Sequence, residues 1–210
     1  MNKLLRLVFI LSHVTAVAQS STPGVEGAYY LQGVMEVGSG FKFNADHSFE
    51  FFYSYGALDR VAKGTWEQHG DSLILNNAPK PPQDFKLVKS KKTGSRQIII
   101  QITNENTMLL SHVVAGLKCA DTIYHEQSDK SGRIAFHKCA AQQLSLIHAF
   151  WPDRFSVFDA SNADYFEFTI EPWIADVAFD HFVLTVKDAV LTGPHPLLEP
   201  NTYTYVKEGN

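Results

Sequence analysis

The amino-acid sequence predicts an all-β protein made of two units, an N-terminal antiparallel meander or half-barrel and a C-terminal β-sandwich. Short stretches alternate apolar and polar residues with a period of two, and turn-forming clusters separate them. We find no stretch of helical periodicity between these strands. With 210 residues, 45% hydrophobic and 19% charged, the chain has the composition of a globular protein.

The first predicted strand, 28–37, leads through Gly38-Ser39-Gly40, which we interpret as a turn, into an aromatic meander between Ser39 and Leu75. Alternate positions of this meander carry large apolar side chains, as expected of strands with one face in a core. These residues are Phe41, Phe43, Phe49, Phe51, Tyr53, Tyr55, Trp66, Leu73 and Leu75.

The N-terminus has the pattern of a secretory signal peptide over residues 1–18. Lys3 and Arg6 precede an apolar run, and Ala16-Val17-Ala18 provides the small residues of a cleavage site before Gln19. Residues 19–27 then form a tether. The pattern predicts a secreted or periplasmic protein, and we expect no transmembrane segment after the leader because no later stretch is long and apolar enough.

The charge of the chain does not favour nucleic acid as a partner. Removal of Lys3 and Arg6 with the leader takes the formal net charge from −4 to −6. Phosphate backbones are bound by clustered Lys and Arg, and the one basic cluster, 86–96, reads more simply as a solvated hairpin tip.

The two cysteines, Cys119 and Cys139, are predicted to form a disulfide, because an oxidising compartment preserves such bonds. A metal or thiol site at His137 and Cys139 is the alternative. One pair of cysteines is too few for a structural zinc tetrad without two suitably spaced histidines.

The unit boundary is predicted near residue 96, which gives domains at 28–96 and 97–210. Pro79, Pro81 and Pro82 cannot lie in a central strand and indicate an edge or a crossover loop. The apolar run Ile98–Ile102 predicts a strand buried on both faces that opens the second unit. Further short strands continue from it to the C-terminal end.

Two stretches resemble known families. The meander, with Phe41-x-Phe43, Phe49-x-Phe51, Tyr55-Gly56-Ala57-x-Asp59 and Gly64-Thr65-Trp66, resembles the lipocalin-like β domains of exported bacterial proteins. That resemblance covers about 27–87, and it implies a carrier of a small apolar ligand in a barrel cavity as one alternative function.

The segment from Asn104 through Val113–Leu117 to Ser128-Asp129-x-x-Gly132 and Leu144–Leu146 resembles the prealbumin-like, or carboxypeptidase regulatory-like, β-sandwich. Its most specific part is the turn in which Gly132 follows Asp129 by three positions. The resemblance covers about 98–187 and implies an accessory module that binds or positions rather than catalyses.

Local signatures of catalysis or metal binding are absent from the sequence. There is no His-x-His, His-Glu-x-x-His or Gly-x-Ser-x-Gly motif. His125, His137 and His148 lie on three predicted strands and could converge, although strand-surface positions explain them as well. We therefore predict no metal ligand, no cofactor and no catalytic residue.

Carboxylates near Pro172-Trp173 leave a hydrolase open as a third alternative. Glycoside hydrolysis needs two carboxyl groups on opposite sides of the scissile bond. The candidates are Glu167, Glu171, Asp176 and Asp180. Their alternation with apolar residues is equally typical of the solvent face of a half-buried strand.

The function predicted from the sequence is a secreted, non-enzymatic binding or interaction module, whose partner is a protein, a small molecule or a glycan. Aromatic and charged residues near one corner of the meander, with two tryptophans of the second unit, are the candidate ligand contacts. They are Tyr53, Tyr55, Asp59, Arg60, Trp151 and Trp173.

Overall fold

The computed structural model describes residues 24–56 and 58–209, and it confirms the all-β class. The predicted leader, 1–18, and the first residues of the tether lie outside the described residues. Numbered along the chain, the strands are β1 (Gly27–Leu31), β2 (Val37–Phe43), β3 (Ser48–Tyr55), β4 (Leu58–His69), β5 (Ser72–Asn76), β6 (Phe85–Lys91), β7 (Gln97–Thr103), β8 (Val113–Cys119), β9 (Thr122–Gln127), β10 (Arg133–His137), β11 (Ala141–His148), β12 (Trp151–Asp159), β13 (Tyr165–Ile170), β14 (Phe182–Lys187), β15 (Val190–Gly193) and β16 (Tyr203–Lys207). Two short 3₁₀ turns, Thr107–His112 and Pro172–Ala175, accompany them.

A closed antiparallel barrel is built from strands at both ends of the described chain. Its order is β1-β16-β15-β14-β5-β4-β3-β2, and β2 pairs with β1 to close the ring. The alternating aromatic residues of the meander point into the barrel, with the exception of Tyr55, which is exposed. The period-two pattern therefore identified the inward face of β2 to β5.

Aromatic rings fill the barrel interior. Phe41 lies 5.0 Å from Phe51 and 5.1 Å from Tyr205, measured between ring centroids, and Phe179 packs 5.2 Å from Phe49. Eight strands leave an interior that side chains can occupy or that can hold one small ligand. Here aromatic side chains occupy it, which argues against the predicted alternative of an apolar ligand carried inside the barrel.

The remaining strands form two four-stranded sheets, β10-β7-β13-β6 and β12-β11-β8-β9, that share one core. β7 and β13 are parallel, and the other pairs are antiparallel. Ile98, Ile100 and Ile102 are buried between the sheets. The predicted turn is present as well, because Asp129 accepts hydrogen bonds from the N–H groups of Ser131 and Arg133 and Gly132 has a φ of 78°.

The division of the chain at residue 96 was wrong. β6, which was assigned to the first unit, belongs to the two-sheet unit, and β14 to β16, which were assigned to the second, complete the barrel. The sandwich is thus inserted between β5 and β14. A wall made of β1 to β5 alone leaves unpaired edges at β1 and β5, which β16 and β14 pair with in the closed barrel. The prediction failed because strand periodicity carries no information on which edge a strand joins.

The interpretation of Gly38-Ser39-Gly40 as a turn was also wrong, because these residues lie within β2. A Cβ atom on Gly40 would lie 2.4 Å from the carbonyl oxygen of Tyr29. Glycine is required there by the close approach of two strands rather than by a change of chain direction.

The predicted disulfide is present. It joins Cys119, at the end of β8, to Cys139 in the connection between β10 and β11, where the chain passes from one sheet of the sandwich to the other. Among the described residues there is no helix of the length and apolar character needed to span a bilayer.

Replacement of both Cys119 and Cys139 by serine is expected to lower the free energy of unfolding by about 3 kcal/mol, because the bond closes a loop of 20 residues in the unfolded chain. Urea unfolding of the wild-type and double-serine proteins, each with and without reductant, measures this. Reductant should destabilise the wild type alone; equal midpoints for all four samples would contradict the prediction.

Candidate ligand groove between barrel and sandwich

Two crossings connect the barrel to the sandwich, 77–84 on the way out and 171–181 on the way back. The N–H of Asn77 donates to the carbonyl of Phe179 at 2.9 Å, and the N–H of Phe179 donates to the Asn77 side chain at 2.9 Å. The N–H of His181 donates to the side chain of Asn76 at 2.8 Å. These bonds hold the two crossings side by side where β5 ends and β14 begins.

Arg60 on β4 fastens the barrel to the sandwich. Its guanidinium is 5% exposed and donates two hydrogen bonds to the carboxylate of Asp153 on β12, with Nη1 to Oδ1 at 3.2 Å. Its Nε donates to the carbonyl of Ala175 in the return crossing at 3.2 Å. The planar guanidinium donates to the Asp153 carboxylate and to the Ala175 carbonyl at the same time, a geometry that a lysine ammonium could not provide.

A second ion pair holds the outgoing crossing. Asp84 is 2% exposed and accepts two hydrogen bonds from Arg154 on β12, at 2.6 and 2.9 Å. Lys80 donates to the carbonyl of Ile174 in the return crossing at 2.8 Å and lies 3.5 Å from the Asp84 carboxylate. Both crossings are therefore fixed to the sandwich and to each other.

The crossings and the outer face of β4 enclose a groove of about 460 Å³, which we term the junction groove. This volume lies within the usual range of ligand pockets, roughly 300–1,000 Å³. Its lining residues include Lys63, Pro79, Lys80, Pro81, Trp173 and Asp176. The prolines predicted to mark a crossover are thus one wall of this groove.

The junction groove continues along the outside of the barrel. A neighbouring depression of about 290 Å³ shares Val61 and Lys63 with it and adds Tyr30 and Phe52, each 40% exposed. The two rings meet edge to face at 6.2 Å between centroids. One elongated surface therefore carries aromatic groups at both ends.

The polar side chains of the junction groove differ in whether they already form hydrogen bonds to other groups of the protein. Among the described residues, none donates a hydrogen bond to the Asp176 carboxylate, and burial raises the pKa of that group. Burial lowers the pKa of the Lys80 ammonium, which is bonded to protein carbonyls. The side chain of Lys63 is 81% exposed. The Lys63 ammonium lies 3.9 Å from the Glu50 carboxylate in an exposed ion pair. Asp176 and Lys63 are thus the groups of the junction groove that are most open to a ligand.

The structure separates the predicted contact residues. Tyr53 is buried in the barrel, 5.4 Å from the ring of His195, and Tyr55 is exposed at the end of β3. The carbonyl of Asp59 accepts a hydrogen bond from the indole of Trp151 at 3.0 Å, so these two residues join the barrel to the sandwich. Arg60 has the same fastening role.

Trp173 is the predicted contact residue that lines the junction groove. Its indole N–H donates to the carbonyl of Gln83 at 2.8 Å, which fixes the ring between the two crossings.

The other predicted clusters do not converge. Within the described residues, no group of three His, Cys, Asp or Glu side chains is placed to hold a metal ion. Of the carboxylates considered for hydrolysis, Asp176 lines the groove, whereas Glu167 lies on β13 and Asp180 is exposed just before β14. Glu171 directly precedes the 3₁₀ turn Pro172–Ala175 in the return crossing.

Sequence reasoning missed Lys80, Asp84, Asp153 and Arg154. Asp153 and Arg154 follow Pro152, and β12 runs through all three residues. Each of the two arginine–aspartate pairs joins residues at least 70 positions apart. Local spacing therefore held no signal for them.

Two buried histidines stabilise the fold in their neutral form. The Nδ1 of His195 accepts from the N–H of Leu197 at 3.1 Å, so its Nε2 donates to the hydroxyl of Ser39 at 3.0 Å. His148 accepts from the N–H of Phe150 and donates to the carbonyl of Leu109 at 3.1 Å. Burial lowers the pKa of each ring to about 4.

No family model matches the chain, and no curated protein matches it. Among solved structures it is matched to the crystal structure of Helicobacter pylori beta clamp bound to DNA ligase peptide, with 9% identity and a TM-score of 0.16. The match covers 89% of this chain and 60% of that chain. A TM-score this low carries no argument about fold or function.

Replacement of Asp153 by alanine is expected to cost about 2 kcal/mol of stability, because the buried Arg60 loses two hydrogen bonds to a carboxylate that is itself 46% exposed. The double variant with Arg60→Met should recover part of this loss. Chemical unfolding of the single and double variants measures the coupling. Glu50→Ala, which breaks exposed ion pairs, is the control and should cost less than about 1 kcal/mol. Equal losses of stability from Glu50→Ala and Asp153→Ala would show that the Arg60–Asp153 pair does not fasten the barrel to the sandwich.

The two neutral histidines predict that stability falls as the pH is lowered from 6.5 to about 4. In the unfolded chain these two histidines bind protons below pH 6.5, while in the folded chain they do not until about pH 4. Each histidine therefore contributes up to about 1.4 kcal/mol per pH unit to the slope of the unfolding free energy against pH. Unfolding free energies at a series of pH values measure it.

His195→Gln keeps a donor and an acceptor but cannot titrate, and should remove about half of this slope. His69→Gln, at an exposed position, is the matched control and should change the slope less than His195→Gln does. A His195→Gln profile parallel to that of the wild type would show that His195 is not held neutral.

Proposed function

We propose that this protein is an exported, non-enzymatic binding protein whose ligand lies in the junction groove and along the outer face of β4. The observation that carries the proposal is the continuity of the two depressions through Val61 and Lys63, with Trp173 at one end and Tyr30 and Phe52 at the other. The Cys119–Cys139 disulfide supports export, since such bonds persist in oxidising compartments.

The ligand class that fits best is an oligosaccharide. Aromatic rings offer flat apolar faces for sugar rings, and tryptophan and tyrosine combine such a face with a polar edge. Asp176 offers an acceptor for hydroxyl groups, and Lys63 offers donors. An elongated ligand with alternating apolar faces and hydroxyl groups uses every one of these features.

The walls of the groove favour binding by a preformed surface. Arg60 and Asp84, both buried and both bonded to β12, fix the two crossings before a ligand arrives. A preorganised site loses less conformational entropy on binding than a flexible one.

A thermal-unfolding screen against oligosaccharides, with fatty acids and divalent metals as the comparison classes, tests this function. An oligosaccharide at a hundredfold its Kd stabilises by about 2.7 kcal/mol and should raise the Tm by roughly 5–10 °C. A rise in Tm with fatty acids alone would overturn the proposal, and so would a panel in which no class raises the Tm.

Variants locate the site of any oligosaccharide found. Asp176→Asn should weaken binding about tenfold, the equivalent of one lost hydrogen bond to a charged group, and Trp173→Ala should weaken it further. Tyr55→Ala removes an exposed aromatic ring outside the groove and is the matched control. A ligand that is unaffected by both groove variants binds elsewhere.

A further inference from the structure

β9 is the outer strand of the sheet β12-β11-β8-β9, and both of its faces are open to solvent. Each of its six residues is exposed, including Ile123 and Tyr124, which are 54% and 53% exposed. Apolar side chains of this size on a free sheet edge are unusual in a protein that acts as a monomer.

The main chain of β9 carries unpaired groups on its free side. The N–H of Ser128 donates to the carbonyl of Val113 at 2.9 Å, which sets the alternation of the β8–β9 ladder. In an antiparallel ladder every second residue bonds to the neighbour and the others point away. The N–H and C=O groups of Ile123, His125 and Gln127 therefore face outward.

The other outer strands of the two sandwich sheets carry residues that discourage pairing. β6 has Lys86, Lys89 and Lys91, and β12 has Pro152 as its second residue. β10 has five residues and begins with Arg133. β9, with the sequence TIYHEQ, contains no lysine, arginine or proline, and Glu126 is its one acidic residue. Its edge therefore carries less protection than the other three.

We propose that β9 pairs with β9 of a second copy of this chain, antiparallel about a two-fold axis that passes midway between the two Tyr124 residues. In this register Ile123 lies opposite His125 of the second copy, and their outward N–H and C=O groups bond to each other. The two four-stranded sheets become one eight-stranded sheet. A two-fold pairing of this kind uses the same surface on both copies and closes on itself.

The side chains of β9 are complementary in this register. Tyr124 lies opposite its own copy at a non-hydrogen-bonded position, where side chains are closest and aromatic pairs are favourable. Glu126 lies opposite Thr122 of the second copy, so no two like charges of the strand face each other. The alternative centre, His125, would place the two His125 rings opposite each other.

The surface beside β9 supports the same partner. A depression of about 260 Å³ lies between the edges of the two sheets and is lined by residues that include Tyr124, Glu126, Phe136 and His137. Tyr124 lies opposite the buried Leu117 and so faces the inner side of the sheet. A second Tyr124 ring at the same level would cover the opening of this depression.

Sedimentation of the purified, oxidised chain tests the proposal. The mass should double as the protein concentration rises over about 1–100 μM, a range that detects micromolar association. Tyr124→Lys should yield the monomer throughout, and Leu87→Lys, at an exposed apolar position of β6, should leave the dimer unchanged. A wild-type monomer at every concentration overturns the proposal, as does a dimer that Tyr124→Lys leaves intact.

Cysteine cross-linking tests the register. Cα atoms at a non-hydrogen-bonded pair lie about 4.5 Å apart, within reach of a disulfide, so Tyr124→Cys should form a covalent dimer under mild oxidation. His125→Cys, which faces Ile123 of the second copy, is the matched control and should not. Cross-linking of His125→Cys alone, or of neither variant, overturns the pairing about Tyr124.

Discussion

The structure depends on the closure of the barrel across an inserted domain. β5 and β14 pair with each other although the whole sandwich lies between them in the chain. Bringing the ends of so long an insertion together costs conformational entropy. The hydrogen bonds of Asn76 and Asn77 to the return crossing, and the shared core of the sandwich, hold those ends in place. A folded sandwich, which holds the two ends close together, therefore lowers the entropy cost of closing the barrel.

The same closure creates the candidate site. Because both crossings must leave and re-enter the barrel at one point, they lie side by side over the outer face of β4, and the space between them and that face is the junction groove. Arg60 and Asp84 are buried at this point and bond to β12. The ion pairs that attach the domains are thus also those that shape the proposed binding surface.

Local patterns predicted the parts of this fold but not their assembly. Alternation identified the inward residues of β2 to β5, and cysteine content identified the disulfide, since both signals lie within short stretches. The pairing of β14 with β5 and the contact of Arg60 with Asp153 were not predicted, because both join residues that are far apart in the sequence. Of the candidate site, the sequence indicated Trp173 and the prolines. Asp176 was indicated only as one of four carboxylates considered for hydrolysis, and Lys80 was not indicated, because burial next to a separate element decides their roles.

Amide hydrogen exchange of the oxidised, ligand-free chain shows whether the groove is preformed by the hydrogen bonds that hold its two crossings. We expect the bonded amides of Asn77, Val177 and Phe179 to exchange as slowly as those of the β3–β4 ladder. Exchange in the crossings that is orders of magnitude faster than in the ladder, while both remain folded, would contradict it: the groove would then form only on binding.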